Sequence, residues 1–337
     1  MKETRAALRR KGLHPAGKSG MLLVEIPGGM RMYRTLNSYL RERFGCKVYK
    51  LSLNAGLSCP NRDGTAGYGG CIFCSEGGSG DFAECPSLSI AEQIERAKSR
   101  VSKKIREGKY IAYFQAYSNT YGPIDYLRKI YLEAANRSDI TALSIATRPD
   151  CLGEAVLNLL DEINKIKPVF VELGLQTANE ATAKFINRGY TLDVFDGAVR
   201  KLRKINVDVV VHIIIGLPGE TEEDVYKTVQ HISSLPINGV KLQLLHVLKG
   251  TALARLYAEG KVKTLSMNEY IETVAHCLKL LPKNIVIHRL TGDGPKKLLI
   301  APLWSADKKT VLNAVNRYLN EHDVVQGSLS QTDAANE

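Results

Sequence analysis

The stretch LSCPNRDGTAGYGGCIFCSEGGSG, residues 57–80, carries three of the chain's seven cysteines, at Cys59, Cys71 and Cys74. A Cys-x-x-Cys turn presents two sulfurs to one point, and a third cysteine on a glycine-rich loop completes a cup of three thiolates. Structural zinc takes four protein ligands, whereas a centre that binds a cofactor keeps one metal position open. A fourth cysteine, Cys85 or Cys46, would make a zinc knot; without it the cup is an open site. The rest of the chain decides between them.

Outward from this stretch, short apolar or β-branched runs alternate with helical patterns. Strands are expected at 48–53, 110–116, 140–146, 169–175, 207–215 and 239–246. Between them lie amphipathic segments, such as one opened by a Ser89/Glu92 capping box with Ile90, Ile94, Ala97 and Val101 on one face. Strand–helix units repeated in this way predict an α/β fold, a partial (β/α)6 TIM-like barrel of parallel strands with helices outside. The uninterrupted runs VVVHIII and KLQLLHVL suit strands buried on both faces. The expected organisation is a basic arm over 1–30, the barrel over 31–250 with its cysteine loop at 54–80, a C-terminal α/β extension over 251–324, and a flexible tail over 325–337. The extension reads as helices at 251–258 and 266–281, a strand at 285–290 and a helix at 306–321, packed on the barrel.

A parallel α/β barrel places its active site at the C-terminal ends of its strands. The three cysteines follow the first strand, and polar residues recur at the ends of the others. Gln115, Ser118 and Asn119 follow the second, Arg148 the third, and Glu172 and Gln176 lie along the fourth. His212 and Gly216 belong to the fifth, Gln243 and His246 to the sixth. Five strands converging in this way make a site, which a structural zinc knot would leave unexplained. His288, Arg289 and Asp293 are further candidates on the substrate side. Cys277, on an apolar helix face with Tyr270, Val274 and Leu281, reads as core packing, and Cys46 and Cys151 as structural thiols.

These motifs resemble the radical SAM superfamily. The cysteine loop with Phe73 before its last cysteine, VELGLQT and GLPGET are similar to segments of the Elongator catalytic subunit and the oxygen-independent coproporphyrinogen oxidases. CPNRDGT, GGCIFC, FQAYSNTY, ATRPDC and HRLTGDGP together look like the YhcC/YtqA-like subgroup. The cysteine spacing is wider than the commonest Cys-x3-Cys-x2-Cys form. The resemblance implies a 4Fe-4S cluster on Cys59, Cys71 and Cys74, with S-adenosylmethionine (SAM) on the fourth iron. It implies reductive cleavage of SAM to a 5′-deoxyadenosyl radical, fed by a reductant such as flavodoxin or ferredoxin. It also implies SAM contacts from Gln115, Ser118, Asn119, Arg148, Glu172, Gln176 and Gly216; His212, Gln243, His246 and Arg289 stand as the candidates on the substrate side.

Composition bounds the rest. The 337 residues are 44% hydrophobic and 24% charged, with a formal charge of +11. Residues 1–50 hold twelve Lys/Arg against three Asp/Glu, so nine of the eleven excess charges lie there. Such a segment suits phosphates of nucleic acid, or else serves as a solvated arm. No apolar run approaches the roughly 20 residues that span a bilayer, no signal-peptide core opens the chain, and a reduced, cytoplasmic protein is expected. Charge and kinship together point to tRNA, and to conversion of a wobble-uridine carboxymethylaminomethyl group to aminomethyl. The rival readings are a radical SAM enzyme on a small, porphyrinogen-like substrate and a zinc-stabilised nucleic-acid-binding protein.

Overall fold

The computed structural model describes residues 32–78, 80–101, 108–292 and 294–330. The basic arm expected over 1–30 and the candidate Asp293 lie outside the described residues. In chain order the elements begin with α1 (Leu36–Phe44), β1 (Val48–Leu53), α2 (Ile90–Val101), β2 (Lys109–Phe114), α3 (Ile124–Ala135) and β3 (Ile140–Thr147). Then come α4 (Glu154–Ile166), β4 (Val169–Gln176), α5 (Glu180–Phe185), α6 (Leu192–Lys204), β5 (Asp208–Ile215), α7 (Glu222–Ser233) and β6 (Gly239–Leu244). The chain continues through β7 (Val247–Leu248), α8 (Ala252–Ala258), α9 (Met267–Leu280), β8 (Val286–Arg289), β9 (Leu299–Ala301) and α10 (Lys308–Glu321).

Seven strands form one sheet in the order β1-β2-β3-β4-β5-β6-β8, and every neighbouring pair is parallel. The sheet curls into an open barrel with its helices outside. The helices start where the sequence supplies caps: Thr221 with Asp224 and Ser266 with Glu269 form complete capping boxes. Their apolar stripes, such as Phe195, Ala198, Val199 and Leu202 on α6, are buried against the sheet. The 251–324 extension is more than a layer packed on the barrel. It supplies β8, the seventh strand, because Gly239 and Val240 pair with Val286 and Ile287 across an exposed edge of β6. An isolated bridge from Thr35 to Ile287 then ties the segment preceding α1 to that strand.

The chain is ordered beyond the expected start of its tail. Gln326 is buried; its amide nitrogen donates to the Pro282 and Ile285 carbonyls at 2.7 and 2.8 Å, and its Oε1 accepts from the Arg34 amide at 2.8 Å. A side chain so bonded, with the Gly327 and Leu329 amides on the Leu278 and Lys279 carbonyls, holds residues 325–330 against α9. Cys277 is fully buried in the main core, as its helix face requires.

Inward-facing residues alternate along each strand and build layers. Val48, Ile111, Ala142, Phe170 and Val210 form an apolar plug with Leu40 of α1. Two residues further along the same strands stand Lys50, Tyr113, Ser144, Glu172 and His212, so the next layer is polar and charged. Two residues further again, Gln115, Ala146, Gly174 and Ile214 line the cavity described next.

Candidate active site

A cavity of about 280 Å³ opens at the C-terminal ends of the strands. Cys59, Cys71 and Cys74 all line it, as do Gln115, Ser118, Arg148, Glu172, Gln176, His212, Gln243, His246 and Arg289.

The cysteine loop is stitched to the segment between α5 and α6. Asn61 donates to the Asn187 carbonyl at 2.6 Å, and the Asn187 amide returns to the carbonyls of Tyr68 and Gly70 at 3.1 and 2.8 Å. Arg62 bonds the carbonyls of Cys74 and Ser75 at 3.0 and 2.5 Å, placing a cation behind the cup. Gly78 has φ +58°, and a Cβ there would stand 2.3 Å from the Tyr117 ring, so only glycine lets this turn close on the second strand's end. Burial first, then the neighbouring Cys74, pushes the Cys71 thiol up to about 12. Among the described residues no three His, Cys, Asp or Glu side chains gather around a point for a single metal ion. A multi-iron cluster does not ask for that, since each thiolate takes a different iron. Cys85, the fourth ligand of the zinc alternative, is exposed, bonded to Ser87, and absent from the cavity wall.

The wall beside the cup carries unmet hydrogen-bonding capacity. Gln115 Nε2 and Gln176 Oε1 are buried with no hydrogen-bond partner among the described residues, and both residues line the cavity. A buried donor and acceptor left open are costly without a ligand. Gln176 sits at φ +70° where the β4–β5 register shifts, a strained conformation found at binding sites. With three cysteine thiols outside any disulfide on the same cavity, these residues fit a 4Fe-4S cluster and a polar nucleoside cofactor. Arg148, largely buried, is held by Asp150 and by the Arg188 carbonyl, with its guanidinium 4.9 Å from the Tyr190 ring centre.

Three expected cofactor contacts are placed otherwise. Asn119 is fully buried away from the cavity, its amide donating to the Ala116 and Ala146 carbonyls at 3.0 and 2.9 Å to tie two strand ends. Gly216 does not line the cavity either; its Cα faces the Leu265 side chain, 3.2 Å from where a Cβ would stand. Glu172 lines the cavity, but both carboxylate oxygens are engaged. Oε1 accepts from Lys50 and from Ser144 at 2.7 Å, while Oε2 accepts from Lys241 and faces His212 Nε2 at 2.8 Å.

Glu172 is thus the hub of an ionic layer at the cavity floor. Lys50 and Lys241 hold its carboxylate well below the ordinary range against the opposing effect of burial. Burial, with Lys241 nearby, pushes His212 down to about 4, so its ring is neutral. Burial also lowers Lys241. His288 is turned to the plug instead, 6.3 Å from the Phe170 ring centre and outside the cavity wall. Lys50, Tyr113 and Lys241 were not among the sequence candidates. The signal for the two lysines was a cation in the middle of a largely buried strand, in VYKLSL and GVKLQL. Asn61, Arg62 and the buried Arg188, bonded to the Leu175 and Thr177 carbonyls at 3.2 and 2.6 Å, carried no such signal.

An open parallel barrel with three cysteines beyond its first strand, beside a polar cavity, defines a radical SAM enzyme. The chain belongs to the radical SAM superfamily: the model of that superfamily matches residues 59–232, and that of the radical SAM C-terminal domain matches residues 237–321. It is 44% identical to YtqA of Bacillus subtilis over 301 residues, 89% of this chain and 94% of that protein. It is 27% identical to the tRNA uridine(34) acetyltransferase of Methanocaldococcus jannaschii over 186 residues, 54% of this chain and 33% of that one. The fold is similar to the solved structure of Methanocaldococcus infernus Elp3 at a TM-score of 0.65 and 18% identity, covering 83% of this chain and 64% of that one. The superfamily uses a 4Fe-4S cluster and SAM. No described helix is long and apolar enough to cross a membrane.

Proposed function

We propose that this radical SAM enzyme acts on tRNA, converting a carboxymethylaminomethyl group on the wobble uridine to an aminomethyl group. The observation that carries this reading is one cavity lined by three cysteine thiols, by Gln115 and Gln176 with unmet hydrogen-bonding capacity among the described residues, and by Lys241 and Arg289. Kinship with a tRNA uridine(34) acetyltransferase and a formal charge of +11, which suits a polyanionic partner, support the tRNA assignment.

In this reading Cys59, Cys71 and Cys74 hold three irons of the cluster. Bound together, cluster and SAM supply a one-electron cleavage of the sulfonium and, with it, hydrogen abstraction from the substrate; a reductant such as flavodoxin or ferredoxin provides the electron. The chain's own residues bind and orient. Gln115 offers an amide donor and Gln176 an amide acceptor to the polar groups of SAM. Ser118 stands on the same wall, and Arg148, fixed by Asp150, presents its guanidinium toward the SAM carboxylate. His212, Gln243, His246 and Arg289 face the substrate.

The test is a nucleoside profile of tRNA from strains with and without the gene. Loss of the aminomethyl-type uridine with accumulation of its carboxymethylaminomethyl precursor is the expected result, and an unchanged profile overturns the tRNA reading.

A further inference from the structure

We infer that Asn61 and Arg62, neighbours within the cysteine loop, set the reduction potential of the cluster. The Asn61 amide donates to the Cys71 sulfur, the Arg62 guanidinium stands behind Cys74, and both favour the reduced centre. The inference rests on the proposed assignment of Cys59, Cys71 and Cys74 as cluster ligands.

Asn61 is fully buried. Its Nδ2 gives one proton to the Asn187 carbonyl at 2.6 Å and lies 3.9 Å from Cys71 Sγ, within reach for the other. The amide cannot be turned round, because its oxygen would then meet the Asn187 carbonyl oxygen at the same short distance. Nor can it move away. A Cβ on Gly67 or Gly189 would stand 2.4 or 2.8 Å from Asn61 Oδ1, so both backbones close on that end of the amide. The oxygen itself has no hydrogen-bond partner among the described residues. An open buried acceptor is a cost that closing the loop does not explain, and it leaves the nitrogen as the end that acts. Cys71 is held as firmly. The Gly70 amide donates to the Asn61 carbonyl at 2.8 Å, and the Ile72 amide to the Ile186 carbonyl at 3.1 Å.

Arg62 serves the other end of the cup. Its guanidinium donates to the carbonyls of Cys74 and Ser75 at 3.0 and 2.5 Å and lies 5.4 Å from the Tyr117 ring centre. A Cβ on Gly70 would stand 2.9 Å from Arg62 Nε, so a glycine there leaves the side chain its berth.

Sulfur is a weak acceptor as a thiol and a stronger one as a thiolate, because the bond is then charge-assisted. A donor on a ligating sulfur and a cation beside the centre both stabilise negative charge, and reduction adds one negative charge. The step concerned is transfer of a single electron from the flavodoxin- or ferredoxin-type reductant. No bond forms or breaks, and the amide proton stays on nitrogen. Loss of either residue therefore lowers the potential, and the same reductant then reduces a smaller share of the protein.

The test is a redox titration of the full chain loaded with cluster, followed by electron paramagnetic resonance. It uses neither SAM nor RNA, so it does not depend on the tRNA reading. Asn61→Ala and Arg62→Gln are each expected to lower the reduced-to-oxidised ratio about tenfold at a fixed poise, about 59 mV for one electron. Asn187→Gly cuts the tethers to Tyr68 and Gly70, yet it keeps the carbonyl that Asn61 bonds and the φ of +54°, so the potential should hold. Arg62→Lys keeps the charge without the fork and should do the same. An unchanged potential in Asn61→Ala or in Arg62→Gln overturns the inference. So does an equal fall in either control, which would make the effect one of loop geometry. Arg62→Met replaces Arg62→Gln if the latter loads no cluster. For Asn61, wild type decides without any substitution: asparagine carrying nitrogen-15 in its amide is expected to alter the nitrogen coupling in the pulsed spectrum of the reduced protein. An identical spectrum overturns the inference. A Cys71→Ala chain that still loads a cluster would refute the ligand reading, whereas unchanged potentials beside an empty Cys71→Ala chain refute this inference alone.

Discussion

Arg148 and Asp150 form a two-pronged ion pair, Nε to Oδ1 at 2.9 Å and a terminal nitrogen to Oδ2 at 2.6 Å, while the other terminal nitrogen bonds the Arg188 carbonyl at 2.9 Å. A guanidinium held on two sides has already lost its rotamer freedom before a ligand arrives, which favours binding.

Asp150→Ala should therefore weaken SAM binding without unfolding the protein. Equilibrium dialysis on the cluster-loaded chain should give a dissociation constant raised about tenfold, the worth of a pre-set charge-assisted hydrogen bond. Unchanged affinity would mean that Arg148 does not contact SAM.

Glu172→Gln should destabilise the fold, since Lys50 and Lys241 lose the carboxylate between them. Breaking a buried pair in this way costs about 3–5 kcal/mol, read from chemical denaturation. Adding Lys241→Met should recover part of the loss, because the two sites share one network. Glu172 is held below its unfolded value, so its contribution is present above the ordinary carboxylate range and is lost as pH falls through the folded value. Wild type should accordingly lose stability on acidification more steeply than Glu172→Gln.

Glu220 behaves in the opposite sense. Burial raises it to about 7, while the Thr177 hydroxyl donating to its Oε1 opposes the shift. Between the unfolded value and about 7 the folded state binds more protons than the unfolded state, so stability falls as pH rises across that window. The Glu220→Gln variant should flatten this fall, by about 2 kcal/mol once partial exposure is taken into account. Denaturation midpoints between about pH 5 and 8 check it.

Cys71→Ala should abolish cluster assembly, read as iron and sulfide content and visible absorption after anaerobic reconstitution, with the melting temperature nearly kept. Cys85→Ala should load normally, because that thiol is exposed, bonded to Ser87 within its own turn and absent from the cavity wall. Normal loading of Cys71→Ala would reassign the ligands.

Much of this architecture was legible in the chain because it depends on local spacing. β1 falls on the expected 48–53, and the other five barrel strands lie within two residues of expectation at either end. The cysteine cup was equally readable, since Cys71 and Cys74 are joined by one turn and Cys59 by one short loop. The polar strand ends were readable because a parallel barrel puts them all on one rim. The allotment of roles among them was not. Asn119 and Gln115 stand four residues apart in the same polar run, yet one braces two strands and the other faces the cavity. Which way each side chain turns is set by contacts with β3, not by its neighbours in sequence. The seventh strand was read as an appended element because only the unsatisfied edge of β6 makes it part of the barrel.

By itself, then, the sequence determined the parallel strands, their helices, the open set of three thiolates and so the radical SAM chemistry, because each depends on periodicity or on spacing within one segment. Only the tertiary structure decided the fate of Glu172. Its partners Lys50 and Lys241 lie 122 and 69 residues away, on strands near opposite ends of the sheet, and they meet at one carboxylate because the curl of the sheet brings those strands together. Burial at the centre of that curl then leaves the glutamate no choice but to be ionised and fully bonded. The residue that read as a cofactor contact is the post on which the ionic layer is built.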